Sequence, residues 1–162
     1  MNSKEYNRTV DEHADAVYRF ILKNVKNEMI AEDIVQDAFE KMWLKHGEIQ
    51  AEKAKSYLFT TAYHNMVDMI RREKKQDNWD NVKDDKYAQN SEYDNTNELL
   101  HKAIEQLPDN QRSAILLRDY EGYSYKEIEE ITGMNESQVK VYIYRGRLFL
   151  RNYLEKMKIS LV

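Results

Sequence analysis

Residues 123–147, "YSYKEIEEITGMNESQVKVYIYRGR", decide the fold of the second half of this chain. The stretch begins acidic, turns at a glycine and leaves on basic residues. Ser124 and Glu127 have the spacing of a capping box, in which a hydroxyl and a carboxylate each satisfy a free amide at a helix start. A helix is therefore predicted from Tyr125, with Ile128 and Ile131 facing the core. Gly133 is placed to end it in the left-handed conformation that glycine adopts without steric cost. Asn135, with Gln138 three residues on, caps the next helix, whose buried edge is Val139, Ile143, Gly146 and Leu150. Two helices joined by a short glycine-containing turn, the second one basic, describe a helix-turn-helix. In that motif the second helix lies in the major groove of DNA. Subtracting the buried edge leaves Glu136, Ser137, Gln138, Lys140, Val141, Tyr144 and Arg145 able to face a groove. Arg147 and Arg151 lie further along, where phosphate contact is expected.

Composition agrees with a helical reading of the whole chain. Its 162 residues include only four Gly and one Pro, too few turn residues for a chain of strands and hairpins. The fold class expected is all-α. No cysteine is present, which excludes disulfides and thiolate metal sites and fits a reducing compartment. No apolar run approaches the ~20 residues of a membrane span. The start, "MNSKEYNRTVDEH", lacks the basic end and apolar core of a signal peptide. A soluble, cytoplasmic protein without membrane insertion is expected.

The net charge of -4 conceals a partition. Residues 53–75 and 136–162 each carry +4, whereas 1–52, 76–98 and 99–135 carry -4, -5 and -3. Two separated basic blocks in an acidic chain read as two places where a polyanion is touched. Residues 76–98, rich in Asp and Asn and without apolar period, read as a flexible acidic linker in which Trp79, Tyr87 and Tyr93 could dock locally. Domains at 1–75 and 99–162 follow.

In the first domain Val17, Phe20, Ile21 and Val25 fall at helical spacing. The next helix places Ile30, Ile34, Val35, Ala38, Phe39, Met42 and Trp43 on one face. Its other face shows Asp33, Gln36, Asp37 and Glu40, a stripe that by itself reads as a solvated surface. A third segment, "SYLFTTAYHNMVDMIRREKK", sets Tyr57, Phe59, Tyr63, His64 and Asn65 ahead of Arg71, Arg72, Lys74 and Lys75. In the second domain Leu99, Leu100, Ala103, Ile104 and Leu107 make an amphipathic helix stopped by Pro108. Asp109 is expected to cap the next, which contains Ala114, Ile115, Leu116 and Leu117 and ends near Gly122.

Taken together, "AEDIVQDAFEKMW", "KAKSYLFTTAYHNMVDMIRRE" and "LPDNQRSAILLRDYEGYSYKEIEEITGMNESQVKVYIYRGRLFLR" resemble the extracytoplasmic-function (ECF) group of bacterial sigma factors. The resemblance covers about residues 15–75 and 99–154. It implies a non-catalytic transcription initiation factor that binds core RNA polymerase and directs it to promoters, with no cofactor and no metal. By resemblance, 1–75 is region 2 and its stripe Asp33, Gln36, Asp37 and Glu40 docks on the polymerase β′ coiled coil. The promoter-melting segment matches residues 57–72. Melting needs flat side chains for bases that leave the stack and cations for the strand. Tyr57, Tyr63, His64, Asn65, Arg71, Arg72, Lys74 and Lys75 are the expected -10 contacts, with Phe59 at least as well read as core. Residues 46–55 match the loop that accepts a flipped -10 base. By resemblance 99–162 is region 4, which also touches the β flap. There Ser137, Gln138, Lys140, Val141, Tyr144, Arg145, Arg147 and Arg151 are the expected -35 contacts. In many relatives an anti-sigma partner covers these faces until a signal arrives; no residue here establishes one.

Four positions depart from the family's pattern. Glu129 stands near the turn where a small residue is usual, Tyr142 where Arg is common, Gly146 where Ala is common, and His64 where Asn is common. An ordinary helix-turn-helix regulator that is not a polymerase subunit is the nearest alternative, and it would usually bring a dimerisation or ligand domain. An all-helical interaction module would be indifferent to reversal of the basic charges. The four scattered histidines form no HExxH and no phosphate-binding glycine loop is present, so an enzyme is the least supported reading.

Overall fold

Cap chemistry and apolar spacing set the helices in order. The computed structural model describes residues 1–77 and 95–160. The first region holds α1 (Ser3–Val25), α2 (Glu28–Leu44) and α3 (Ala54–Asp77), with short 3-10 turns at His46–Glu48 and Ala51–Lys53 between the last two. The second holds α4 (Asn95–Gln106), α5 (Asp109–Ile115), one π turn (Leu116–Tyr120), α6 (Tyr125–Thr132) and α7 (Glu136–Ser160). Among the described residues there is no strand, and the fold is all-helical in two regions. Most of the expected linker, with Trp79, Tyr87 and Tyr93, lies outside the described residues. Its ends, 76–77 and 95–98, belong to α3 and α4, so both helices run past the expected boundaries.

The three helices of the first region close on Val17, Phe20, Ile21, Ala31, Ile34, Ala38, Met42, Leu58 and Phe59, all buried. Each large side chain among them contributes about 1.5–3 kcal/mol on leaving water. Phe59 is thus core, tilted against Phe20 at 5.9 Å between ring centroids. Trp43 departs from expectation. The buried stripe of α2 runs through Ala31, Ile34, Val35, Ala38 and Met42, and Trp43 lies about 80° past its edge at Val35. It is 44 % exposed, edge-on to Tyr6 and stacked on the His46 ring.

In the second region Asp109 is not a cap. Pro108 occupies the N-cap position and Asp109 is the first helical residue, paired instead with Arg112. Arg112 does the joining that sequence reading missed. Buried, it donates to the carbonyls of Ile104, Glu105 and Leu107 at 3.1, 3.1 and 2.6 Å, satisfying the last turn of α4, which a following proline prevents from continuing. The π turn widens the end of α5, with Glu121 and Tyr123 amides reaching back to the Leu116 and Leu117 carbonyls, and Gly122 at φ 76° takes the chain onward. The two regions are in contact: α6 packs on α3, and α1 meets α5.

Candidate functional site

The helix-turn-helix forms as its caps require. Ser124 Oγ accepts the Glu127 amide and Glu127 Oε1 accepts the Ser124 amide, both at 3.1 Å. Gly133 stands at φ 79°, its amide bonded to the Glu129 carbonyl. Asn135 and Gln138 repeat the reciprocal pairing at 2.8 and 2.9 Å. Gln138 therefore spends its carbonyl oxygen on the cap, leaving only its amide hydrogens for a groove. Glu129 is half-exposed rather than buried in the turn.

Along α7, Val139, Ile143 and Gly146 are buried, and Ser137, Gln138, Lys140, Val141, Tyr144, Arg145, Arg147 and Arg151 are exposed. Two of the cations are already partnered. Lys140 lies 2.7 Å from Glu136 one turn earlier, an exposed pair whose hydrogen bond and charge raise the ammonium's pKa and lower the carboxyl's. Arg147 forks onto Asp119 of the π turn at 2.6 and 3.2 Å, and that bond holds its guanidinium pKa up. Asp119 thus anchors α7, a role invisible in sequence because the π turn that aims it is invisible there too. Arg145 and Arg151 are exposed on the same helix. A notch of about 280 Å³ beside them is lined by Tyr125, Lys140, Tyr144, Arg147, Leu148 and Arg151.

Gly146 has a steric explanation. A Cβ there would sit 2.7 Å from Ile115 Cγ1 and 3.1 Å from its Cδ1, so α7 rests directly on α5.

In the first region Asp33, Gln36 and Glu40 are exposed on α2 and Asp37 is half-exposed. A groove of about 330 Å³ between α2 and α3 collects Asp33, Asp37, Lys41, Asn65, Asp68 and Arg72. Inside it Asn65 donates to Asp37 at 2.7 Å and accepts from Lys41 at 3.0 Å, while Lys41 pairs with Asp37 at 3.1 Å. Asn65 therefore leans toward the acidic stripe and ties the two helices. Lys41 went unnoticed in sequence although it stands four residues from Asp37, a spacing that invites such a pair. Tyr57 is half-buried, and His64, Arg71, Arg72 and Lys75 are exposed. Tyr63 is 5 % exposed and Lys74 is paired with Asp109 of the other region at 2.9 Å. Burial, then the Asp109 carboxylate, raise the Tyr63 pKa. Most of residues 46–55 are exposed on the two 3-10 turns. Among the described residues no cluster of His, Asp and Glu could hold a metal, and no helix is long and apolar enough to cross a membrane.

Residues 9–76 match the family Sigma-70 region 2 and residues 97–150 match Sigma-70, region 4. The chain is 30% identical over 152 residues to the RNA polymerase sigma factor SigV of Bacillus subtilis, covering 93% of this chain and 92% of that one. The chain belongs to the ECF sigma factors. It is 29% identical over 155 residues to the ECF RNA polymerase sigma factor SigM of Bacillus subtilis, covering 88% and 93%. Its fold is similar to the Bartonella quintana sigma factor RpoE, solved in complex with the anti-sigma factor NepR, with TM-score 0.80 at 23% identity, covering 94% and 98%. As a sigma factor it is a promoter-directed transcription initiation factor.

Proposed function

We propose that this sigma factor meets its partners through three faces. The α2 stripe Asp33, Gln36, Asp37 and Glu40 docks on the β′ coiled coil of core RNA polymerase, with residues 1–75 acting as region 2. The exposed α3 cations Arg71, Arg72 and Lys75, with Lys74, hold the strand at the -10 element, while Tyr57, Tyr63, His64 and Asn65 stand by the opened bases. From region 4, residues 99–162, α7 enters the -35 major groove and the surrounding helices meet the β flap. Within α7, Ser137, Val141 and Tyr144 face base edges. Arg145 and Arg151 face phosphates, and Lys140 and Arg147 keep the helix charged and seated. The chain carries no catalysis of its own and acts in the cytoplasm, where an anti-sigma partner holds it until it is needed.

The observation that carries this reading is the spatial sorting of charge: an exposed acidic face on α2 and exposed basic faces on α3 and α7. A protein face and two nucleic-acid faces require that sorting. Fluorescence anisotropy of the labelled chain with core RNA polymerase tests it. Tight binding that an Asp33→Lys/Asp37→Lys variant loses supports the reading. No binding by the wild type, together with independent affinity for duplex DNA, would instead indicate a regulator that is not a polymerase subunit.

A further inference from the structure

We infer that Asn65 of α3 is a positioning residue for polymerase docking: it fixes the Asp37 carboxylate of α2 so that a basic side chain of the partner meets it ready oriented. This rests on the reading of the α2 stripe given above, and deepens it by carrying the docking site onto a second helix.

The four side chains of the stripe are not held alike. Asp33, Gln36 and Glu40 are exposed and make no hydrogen bond or ion pair among the described residues. Asp37 is fixed. Its Oδ2 accepts from the Asn65 amide at 2.7 Å and faces the Lys41 ammonium at 3.1 Å, while Oδ1 has no partner among the described residues. The side chain remains 49 % exposed, so one oxygen is anchored and the other is open to a partner. Asn65 is itself locked. Its Oδ1 accepts from Lys41 at 3.0 Å, and a flipped amide would set oxygen against carboxylate and nitrogen against ammonium. Its place on the helix agrees. At about 3.6 residues per turn His64, Arg71 and Lys75 share one exposed face of α3, and Asn65 stands about 100° round from it, toward α2. Both of its bonded atoms serve α2, and only the second amide hydrogen remains for an opened base.

The groove around this pair suits a basic partner. Asp33, Asp37 and Asp68 outnumber Lys41 and Arg72 on its walls, which leaves it acidic. Ile30 and Met69 add an apolar wall for the methylenes of an arginine or lysine. Holding Asp37 beforehand removes ordering that docking would otherwise impose on it, an effect of about two- to tenfold in affinity for one side chain. Asn65 and Lys41 reach the same oxygen with opposite consequences. The ammonium offsets charge for which a partner's cation must compete, whereas the neutral amide holds the carboxylate and leaves its charge intact.

The test uses the full chain, labelled at Asp11→Cys, an exposed position in a chain with no other cysteine. Anisotropy with core RNA polymerase, in the absence of DNA, reads docking alone, so a residue that only touches the strand moves nothing. Asn65→Ala lowers affinity about two- to tenfold. Asn65→Asp lowers it as well. That loss opposes the added negative charge, which favours a basic partner, so electrostatics cannot produce it. Lys41→Met removes a competing cation and raises affinity about threefold at low salt. Were these bonds only a tie between α2 and α3, Asn65→Ala and Lys41→Met would act alike, because the Lys41 to Asn65 bond joins the same helices. Two double-mutant cycles locate the effect: Asn65→Ala changes nothing further in an Asp37→Ala background and adds in full to Asp33→Ala. Urea midpoints taken on every variant separate lost affinity from lost fold. Equal affinity in wild type and Asn65→Ala would overturn the inference. So would a gain in Asn65→Asp, a loss in Lys41→Met, or an undiminished Asn65→Ala effect once Asp37 is truncated. Each of these leaves the docking reading to stand on Asp33→Lys/Asp37→Lys. A wild type that binds no core polymerase would overturn the docking reading and this inference together.

Discussion

Gly146→Ala asks whether α7 is held by contact or by helix propensity. In an exposed helix the change would stabilise by about 1 kcal/mol, because glycine loses the most backbone freedom on folding. Here the new methyl would arrive 2.7 Å from Ile115 Cγ1, inside any ordinary carbon contact. Ile115 cannot swing clear, because it is 1 % exposed and a β-branched side chain on a helix keeps essentially one χ1 rotamer. Overpacking of this kind costs about 1–3 kcal/mol. With a mid-range cost of about 2 kcal/mol set against the propensity gain, Gly146→Ala destabilises by about 1 kcal/mol. Truncation of the neighbour reverses the sign. Ile115→Ala alone costs about 2–5 kcal/mol, but in that background the methyl added by Gly146→Ala enters vacated space and the propensity gain of about 1 kcal/mol returns. Urea unfolding of the full chain followed by circular dichroism, across the four variants of the cycle, gives a coupling of about 2 kcal/mol. The same sign for Gly146→Ala in both backgrounds would refute a steric role for this glycine.

Three further outcomes follow from the geometry. Arg112→Leu strips three carbonyls at the end of α4 of their buried donor and lowers unfolding free energy by about 3–5 kcal/mol, read as a drop in the urea midpoint at unchanged slope. Arg145→Gln reduces the slope of log affinity against log salt for -35 duplex DNA by about 0.9, whereas Asp119→Asn and Arg147→Gln resemble each other and lower stability more than they lower the slope. Burial, then the Lys55 charge, hold the His13 pKa below the usual imidazole range, against a smaller opposing pull from Glu12. The folded state therefore binds fewer protons there than the unfolded chain. The stability linked to His13 is complete above pH 6.5 and is lost as pH falls through the lowered pKa, a decline that His13→Gln removes in urea midpoints taken from pH 7.5 to 5.5.

Local signals were legible and long-range ones were not. Both caps of the helix-turn-helix, the left-handed Gly133 and the buried edge of α7 could be read from residue spacing, because each depends on neighbours within four positions. Trp43 misled for a related reason: it adjoins the apolar stripe of α2, and only the packed neighbours determine where that stripe ends. Asp109 looked like a cap, yet Arg112 and Lys74 take its carboxylate, and Lys74 lies 35 residues away. The Arg147 partner was hidden because a π turn, which has no sequence period of its own, aims Asp119. The reason for Gly146 was equally out of reach, since it lies in the approach of α5. Contact between the two regions had no signal in the sequence, for Arg19 and Glu121 stand 102 residues apart.

The central claim is that this chain directs RNA polymerase by reading two promoter elements, and promoter selection by the reconstituted holoenzyme tests it most directly. Core polymerase with the chain is given a library of bacterial promoter fragments, and the transcripts are sequenced. The expected start sites share two upstream sequence blocks at fixed spacing, with dependence on the farther block lost in Arg145→Glu/Arg151→Glu while polymerase binding persists. Transcription indifferent to the chain, or starts that share no upstream block, would contradict it.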